Sequence, residues 1–562
     1  MGNHLPSPPR FEAKKPRLQH MVIVGDTGPD FAKIWVKVPV EGKWGLVISK
    51  HKFNGDLDDM DGKELDNWFQ NYPDLNVHSY AFLRDEGLCH TFKLDGLDPN
   101  TRYYYLVSAD VSTKIQEAGR TIIGDTAEAY FDTAKTDYHD IRFASFSCHD
   151  PYSWTHPKEG ALPELCDVAE REQLDLLIAA GDQVYLDTND GRMTDLWKWL
   201  ARYKNELEQK SDLDIKQYLV GLIREYYKIY WNFEALSDVF GRYPSYMIWD
   251  DHEIMDGWGS RTKEERRKLL RHFFQFDDDS FNVKVVDLAW QAAAQVYFEY
   301  QHDHNPGRQQ RGDLIALEEM QWDYSFNRGS FHYYVLDVRG HHDCERETYR
   351  LLGKAQFERV KAWLNRLSDA EAAFIVSPVP VVHWSCLVDI ADFSLSGMKD
   401  DLMDEWSHHT NHAERDELLT EVLQVSHSFA VPISFISGDV HCASAYQLID
   451  ISRFPNAQVS QITSSPISRK PNPAIANLVV AKSGYMQKEI TRLNEETGKM
   501  ENTEKKEATS VYQKRLFAKS GINNFAIIRA VSGSRSIATD FYWPGEEDEE
   551  IVRKNIKLTS KD

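Results

Sequence analysis

The chain has 562 residues, 42% of them hydrophobic and 12% aromatic, a globular composition long enough for two to four domains or one large core with an accessory module. Eighty-eight acidic residues against 65 basic ones leave a formal net charge of −23. That balance argues against a general binder of nucleic acid or of anionic membrane, but not against an anionic substrate, because a site holding cations inverts the local field.

Residues 1–20 are polar and Pro-rich, with no hydrophobic segment of a leader peptide. No run reaches the ~18–20 apolar residues that cross a bilayer. Cys89, Cys148, Cys166, Cys344, Cys386 and Cys442 form no CxxC pair and no dense framework, so reduced thiols and a cytoplasmic location are expected.

Residues 21–135 read as a small all-β sandwich, fibronectin-III-like. "FAKIWVKVPV" (31–40) and "KWGLVISK" (43–50) are β-branched and aromatic, and "HTFKLDGLDPNTRYYYLVSAD" (90–110) is strand, turn, strand about Asp98-Pro99-Asn100. From about 140 to 545 the pattern is α/β. Strand 141–150, helix 161–173 and strand 174–182 follow one another, then a Trp- and Tyr-rich helical insertion over about 191–240. Further strands are expected at 246–249, 330–340, 372–384 and 432–446, with a helix over about 354–367. The segment from about 480 to 515 is charged and apolar-poor and reads as a solvated helix or flexible loop. Residues 546–562 read as an acidic, solvated tail.

Four apolar strands end in polar chemistry: at Cys148-His149-Asp150, at Asp182 with Tyr185 beyond it, at Asp250-Asp251-His252-Glu253 with Asp256 beyond, and at Asp439 with His441. In layered sheets their carboxyl ends share the rim where α/β proteins bind ligands. Crowded carboxylates repel and desolvate badly unless a cation sits among them. Each piece alone has an ordinary explanation: a turn or cap for an Asp, a small apolar filler for a Cys, packing for a Tyr, a core residue for a His. Their recurrence after successive strands points to a metal site. Gly181 and Gly438, each before an Asp, let backbone approach closely.

The order Cys148, "GDQVY", "WDDHE", "SGDVH" resembles the PhoD-like (alkaline phosphatase D) branch of the calcineurin-like metallophosphoesterases. The likeness extends over about residues 21–450 and includes "EYYKIYWNFEALSDVFGRYPSYMIWDDHE". It implies an α/β/β/α core behind the sandwich, ferric iron held by Cys148, Asp182, Tyr185 and His441, and calcium held by Asp182, an oxygen of the 250–253 segment and Asp439. Thiolate, phenolate and imidazole suit a transition metal, oxygens a hard cation, and other divalent ions fit as well. Where the family often has paired Asn this chain has "IMDGWGS", leaving Asp251 or Asp256 as the calcium ligand; Asp250 and Glu253 are expected to support. His149 stands where Gln is common, as an added ligand or its support, and His383 is a further candidate from another strand.

The resemblance implies hydrolysis of small-molecule phosphomonoesters or phosphodiesters by a metal-activated water, with Asp182 bridging two metals and His252 protonating the leaving oxygen. Arg339 either clamps phosphate or forms a structural ion pair. Two alternatives stand beside this: a phospholipase-type diesterase with residues 191–240 as a lid, and a metal-stabilised binding protein without catalysis. Oligomeric state is not readable, and a monomer is compatible.

Overall fold

The structure, a computed structural model, describes residues 20–53, 62–109, 122–123, 129–187, 196–262, 264, 279–307, 317, 319–382, 405–471, 480–493, 500–545 and 551–558. The N-terminal region is two antiparallel sheets. One orders strands Met21–Thr27, Phe31–Lys37 and Cys89–Asp95; the other orders Asn76–Phe82, Gly42–Ser49, Arg102–Ala109 and Ile122–Ile123, with Tyr130–Asp132 also on Arg102–Ala109. Alternation along the first sheet sends side chains two ways. Val22, Val24, Ile34 and Val36 fill the space between the sheets. Ile23 and Trp35 point outward into the core of the rest of the molecule.

That core lies between two stacked sheets. The six-stranded one runs Ser245–Ile248, Leu176–Ala180, Asp140–Phe146, Phe525–Val531, Ser536–Trp543, Val552–Lys557, its first three strands mutually parallel. The eight-stranded one runs Tyr324–Arg328, Phe331–Val335, Ala372–Ser377, Ile433–Ser437, Val459–Thr463, Cys442–Ile449, Met500–Ser520, Gly484–Leu493, with four adjacent parallel strands from Phe331–Val335 to Val459–Thr463. Phe143 of one sheet packs edge-on against Phe374 of the other, ring centroids 4.9 Å apart. Period-two alternation explains why strand Ala372–Ser377 is buried throughout. Phe374 and Val376 face the six-stranded sheet, while Ala373 and Ile375 face the helices Gly353–Leu364 and His412–Phe429 on the outside. Helices Leu162–Glu172 and Glu234–Arg242 pack with the inner core. The layers are α/β/β/α with a β-sandwich at the N-terminal side.

Three sequence expectations change. Residues 432–446 are two strands, because the chain turns at Asp439 and His441, both left-handed, with φ of 61° and 49°. The charged segment near 480–515 is an antiparallel hairpin, Gly484–Leu493 with Met500–Ser520, whose inner strand joins Cys442–Ile449. Non-local pairing overrides its charged composition, and charge on an outermost strand is how sheets avoid edge-to-edge association. Within the expected C-terminal tail, Val552–Lys557 pairs with Ser536–Trp543 as the outer strand of the six-stranded sheet. Trp197, Trp199, Tyr226 and Tyr230 of the helical insertion are buried in the core, and Tyr203, Tyr218 and Phe233 pack half-buried against it rather than forming a lid. His383 and Cys386 lie outside the described residues. Among those residues no helix is long and apolar enough to cross a membrane.

Candidate metal and catalytic site

The parallel strands of both sheets deliver their carboxyl ends to one place. Eleven non-glycine residues have positive φ among the described residues, and four are Cys148, Asp182, Asp439 and His441, at 57°, 58°, 61° and 49°. A left-handed non-glycine residue costs of order 1–3 kcal/mol, and such strain collects where surroundings and function impose it. Here the strand ends bend sharply, bringing the Asp182 and Asp439 carboxylates and the Cys148 thiol together. The glycines make room for this. A Cβ on Gly181, itself at φ +94°, would stand 2.7 Å from Asp250 Cβ, and one on Gly438 would clash with Ser147 of the facing sheet.

Two groups of carboxylate and imidazole atoms result, each with all ligand atoms within 4.8 Å of one another: Asp182, Asp251 and His252; and Asp182, Asp250 and Asp439. Asp182 is common to both. Its Oδ2 accepts from the Tyr185 hydroxyl at 2.9 Å and lies 3.3 Å from Cys148 Sγ. Its Oδ1 is buried with no partner, as is Asp250 Oδ2. Burial and the Asp251 charge push the Asp182 carboxyl upward against the pull of His252; burial, then Glu405, Asp250, Asp251 and Asp182, push Asp439 well up. Four clustered carboxylates with two orphaned oxygens fit bound cations. A thiol and a phenol on the shared carboxylate add softer donors on one side. Cys148 and Tyr185 are themselves driven up by burial and by Asp182.

Arg339 is almost wholly buried. Its Nε donates to Asp250 Oδ1, and its guanidinium lies 3.8 Å from Asp251. The structure therefore favours the ion-pair role over a phosphate clamp. Asp251 is held below the usual carboxylate range: burial opposes this, but Arg339 and His252 outweigh it. Asp251 belongs to the cluster, and its Oδ2 accepts the Gly257 N–H at 2.6 Å. The Asp256 carboxylate belongs to neither group; burial lifts it to about 6. His441 lies partly exposed at the start of strand Cys442–Ile449, outside both groups.

His252 Nδ1 pairs with Asp187 at 2.7 Å, and the ring packs against Tyr185 at 4.1 Å. Burial disfavours its charge, yet Asp187, Asp251 and Asp182 together raise its pKa well above the ordinary value. His149 is engaged at both nitrogens, by the Tyr230 carbonyl at 2.6 Å and the Ser468 hydroxyl at 3.0 Å, and burial lowers it to about 4. It is a neutral strut. Glu253 ties the strand ends together. Its carboxylate accepts the backbone N–H groups of Asp182, Gln183 and Asp250 at 2.7–3.1 Å and the Gln301 side chain at 3.0 Å.

Sequence reading missed Asp187, Gln301 and the lip Ser464-Ser465-Pro466-Ile467-Ser468-Arg469. The lip follows strand Val459–Thr463, parallel to Ile433–Ser437 and ending on the same rim. That rule of strand ends could have found it. Ser465 Oγ donates to Cys148 Sγ at 3.0 Å. Arg469 donates its backbone N–H to the Cys148 carbonyl at 3.2 Å, and its guanidinium carbon lies 4.5 Å from the Tyr185 ring centroid.

A profile of the family described as PhoD-like phosphatase matches residues 143–514. A protein of Saccharomyces cerevisiae, uncharacterized protein YGR266W, is 21% identical over an alignment of 330 residues that covers 48% of this chain and 44% of that protein. The chain thus spans less than half the length of this curated relative. The solved structure of PhoD is similar over 96% of this chain and 92% of its own, with a TM-score of 0.60 and 14% identity, a likeness of fold.

Proposed function

The chain belongs to the PhoD-like phosphatase family, and from that premise we propose that it is a metal-dependent hydrolase of small-molecule phosphate esters, with His252 as general acid. One observation carries the reading: three buried aspartates and the half-buried Asp439 converge, with two carboxylate oxygens unpartnered, beside an imidazole whose Nδ1 is fixed by a carboxylate. Asp182, Asp250, Asp251 and Asp439 would hold the cations, with Cys148 and Tyr185 beside Asp182 and His441 at the rim; iron and calcium suit the softer and harder donors. Bound metal ions supply Lewis acidity, acidifying water for attack and neutralising phosphoryl charge.

The protein's own groups do the rest. Asp187 holds the His252 ring by Nδ1, leaving Nε2 to give a proton to a leaving oxygen. The carboxylates of Asp187, Asp251 and Asp182 raise the pKa of the ring and so favour that proton. Arg339 orients Asp250 and holds Asp251 ionised, while burial pushes the Asp250 carboxyl well up against the pull of Arg339, and Glu253 fixes the backbone that carries Asp182 and Asp250.

Metal analysis of the purified protein beside assays of chromogenic mono- and diesters tests the function. His252→Asn tests the acid. Its rate should fall ~10²–10⁴-fold for alkyl esters and much less for nitrophenyl esters, whose phenolate leaves unaided, with metal content retained. An equal fall for both esters would make His252 a positioning group, and loss of metal would make it a ligand. A colourless, active protein holding only zinc would overturn iron while leaving the hydrolase standing.

A further inference from the structure

Arg469 stands apart from the other cations of the site. Arg339 is enclosed and paired, whereas the Arg469 side chain keeps 29% of its surface at the mouth. Its backbone is fixed at both ends, by its N–H to the Cys148 carbonyl and by Asn523 Nδ2 donating to its own carbonyl at 2.7 Å. Its guanidinium lies over Tyr185, whose hydroxyl is on Asp182, and His252 packs against that same phenol ring. Among the described residues the guanidinium makes no hydrogen bond. It forms an ion pair with Asp150 at 3.6 Å, a carboxylate that also lies within reach of the Tyr230 hydroxyl at 3.3 Å. A planar fork of donors, anchored, stacked and ion-paired to Asp150 but making no hydrogen bond, beside a cluster built for phosphoryl chemistry is a receptor for a pair of phosphate oxygens. Stacking on Tyr185 holds the plane while leaving the N–H edges open.

We infer that Arg469 recognises the non-bridging oxygens of the substrate phosphoryl group and gives the site a preference for phosphomonoester dianions over phosphodiester monoanions; this rests on the phosphoesterase reading above. The preference follows from charge. A fixed cation attracts a bound group in proportion to that group's charge, and a monoester carries about two negative charges at neutral pH where a diester carries one. A monoester also keeps a third non-bridging oxygen for the guanidinium, which a diester replaces with an ester link.

The test compares Arg469→Gln and Arg469→Lys with the parent on a nitrophenyl monoester and a bis-nitrophenyl diester, with inorganic phosphate as inhibitor. Arg469→Gln should lower kcat/KM roughly 10- to 100-fold for the monoester, the scale of a lost charge-assisted hydrogen bond. The diester should lose several-fold less, phosphate inhibition should weaken in step with the monoester, and Arg469→Lys should recover part of each. Asp150→Asn removes the neighbouring carboxylate and should leave the monoester-to-diester ratio unchanged. Equal losses on both esters with unchanged phosphate inhibition, or an Asp150→Asn variant that reproduces Arg469→Gln, would make Arg469 a strut and overturn the inference. If the parent hydrolyses neither ester, the phosphoesterase reading falls by itself. Calorimetric binding of inorganic phosphate then decides on Arg469: loss in Arg469→Gln supports anion recognition, and unchanged binding refutes it.

Discussion

At the scale of single residues, this protein keeps charges in places that disfavour them unless a function requires it. Asp182 is buried, bent into the left-handed region and crowded by Asp251. Asp182→Asn should therefore abolish turnover by at least ~10²–10³-fold, the scale of losing a fixed charge in a catalytic site. After chelation the variant should melt no lower than the chelated parent, because repulsion has been relieved. A melting temperature several degrees lower would show that Asp182 holds the fold. Lys37, in the sandwich, is a second displaced charge. Almost wholly buried, it donates to the Gly87 carbonyl at 3.3 Å, and burial with nearby Lys228 lowers it from 10.5 to about 8. Below about pH 8 it is charged folded and unfolded, and the full penalty, about 3 kcal/mol, stands. Between about 8 and 10.5 the unfolded chain binds the extra proton, so this contribution to stability rises with pH. Lys37→Met should raise the melting temperature at pH 7, and its advantage should shrink as pH climbs through that window. An advantage independent of pH would refute the buried charge.

At the scale of elements, the site depends on how turns aim side chains. The π-helical turn Phe298–His302 adds a residue per turn and brings Gln301 onto Glu253, whose carboxylate already gathers three backbone N–H groups. Glu253→Gln has one acceptor oxygen where there were two, leaving N–H donors facing an amide. It should destabilise by roughly 2–4 kcal/mol, at ~1–3 for each buried unsatisfied donor, read as a lowered denaturation midpoint. A shift under half that size would mean the carboxylate is not the tie it looks to be. Here the sequence was legible where chemistry sat at the end of an apolar run: Cys148, Asp182, Asp250, Asp251 and Asp439 all follow one. It was opaque where a partner arrives from elsewhere. Asp187 lies two residues past Tyr185 but meets His252 only because the Leu186 N–H bonds the His252 carbonyl. Gln301 needs a π turn that no local pattern announces. Arg469 follows a strand whose place beside Ile433–Ser437 is a matter of sheet order. The Met500–Ser520 and Val552–Lys557 strands were hidden for the same reason, since pairing with distant strands, not composition, sets them.

At the scale of the whole molecule, the sandwich is welded to the layered core. Trp35 Nε1 donates to the Glu299 carbonyl at 2.6 Å, Tyr105 to the Gly241 carbonyl at 2.8 Å, and Tyr246 to Asp26 at 2.9 Å. Arg224 forms two hydrogen bonds to Glu299, at 2.7 and 2.8 Å, and reaches the Asp85 carbonyl at 2.9 Å. Expression of residues 136–562 alone should give insoluble protein, because the face met by Ile23 and Trp35 would be left bare. A soluble fragment with the parent's melting temperature would show the two parts to be independent. The sheet order carries one more consequence. Asp140–Phe146, the strand that leads into Cys148, pairs on one side with Leu176–Ala180 and on the other with Phe525–Val531. A nascent chain leaving the ribosome thus holds this central strand with one edge open until residues 525–531 have been made. Such an edge invites pairing with other chains, so a ribosome that stops short of residue 525 releases not a smaller folded protein but a template for aggregation, and cells making this protein in quantity will call on chaperones until that strand emerges.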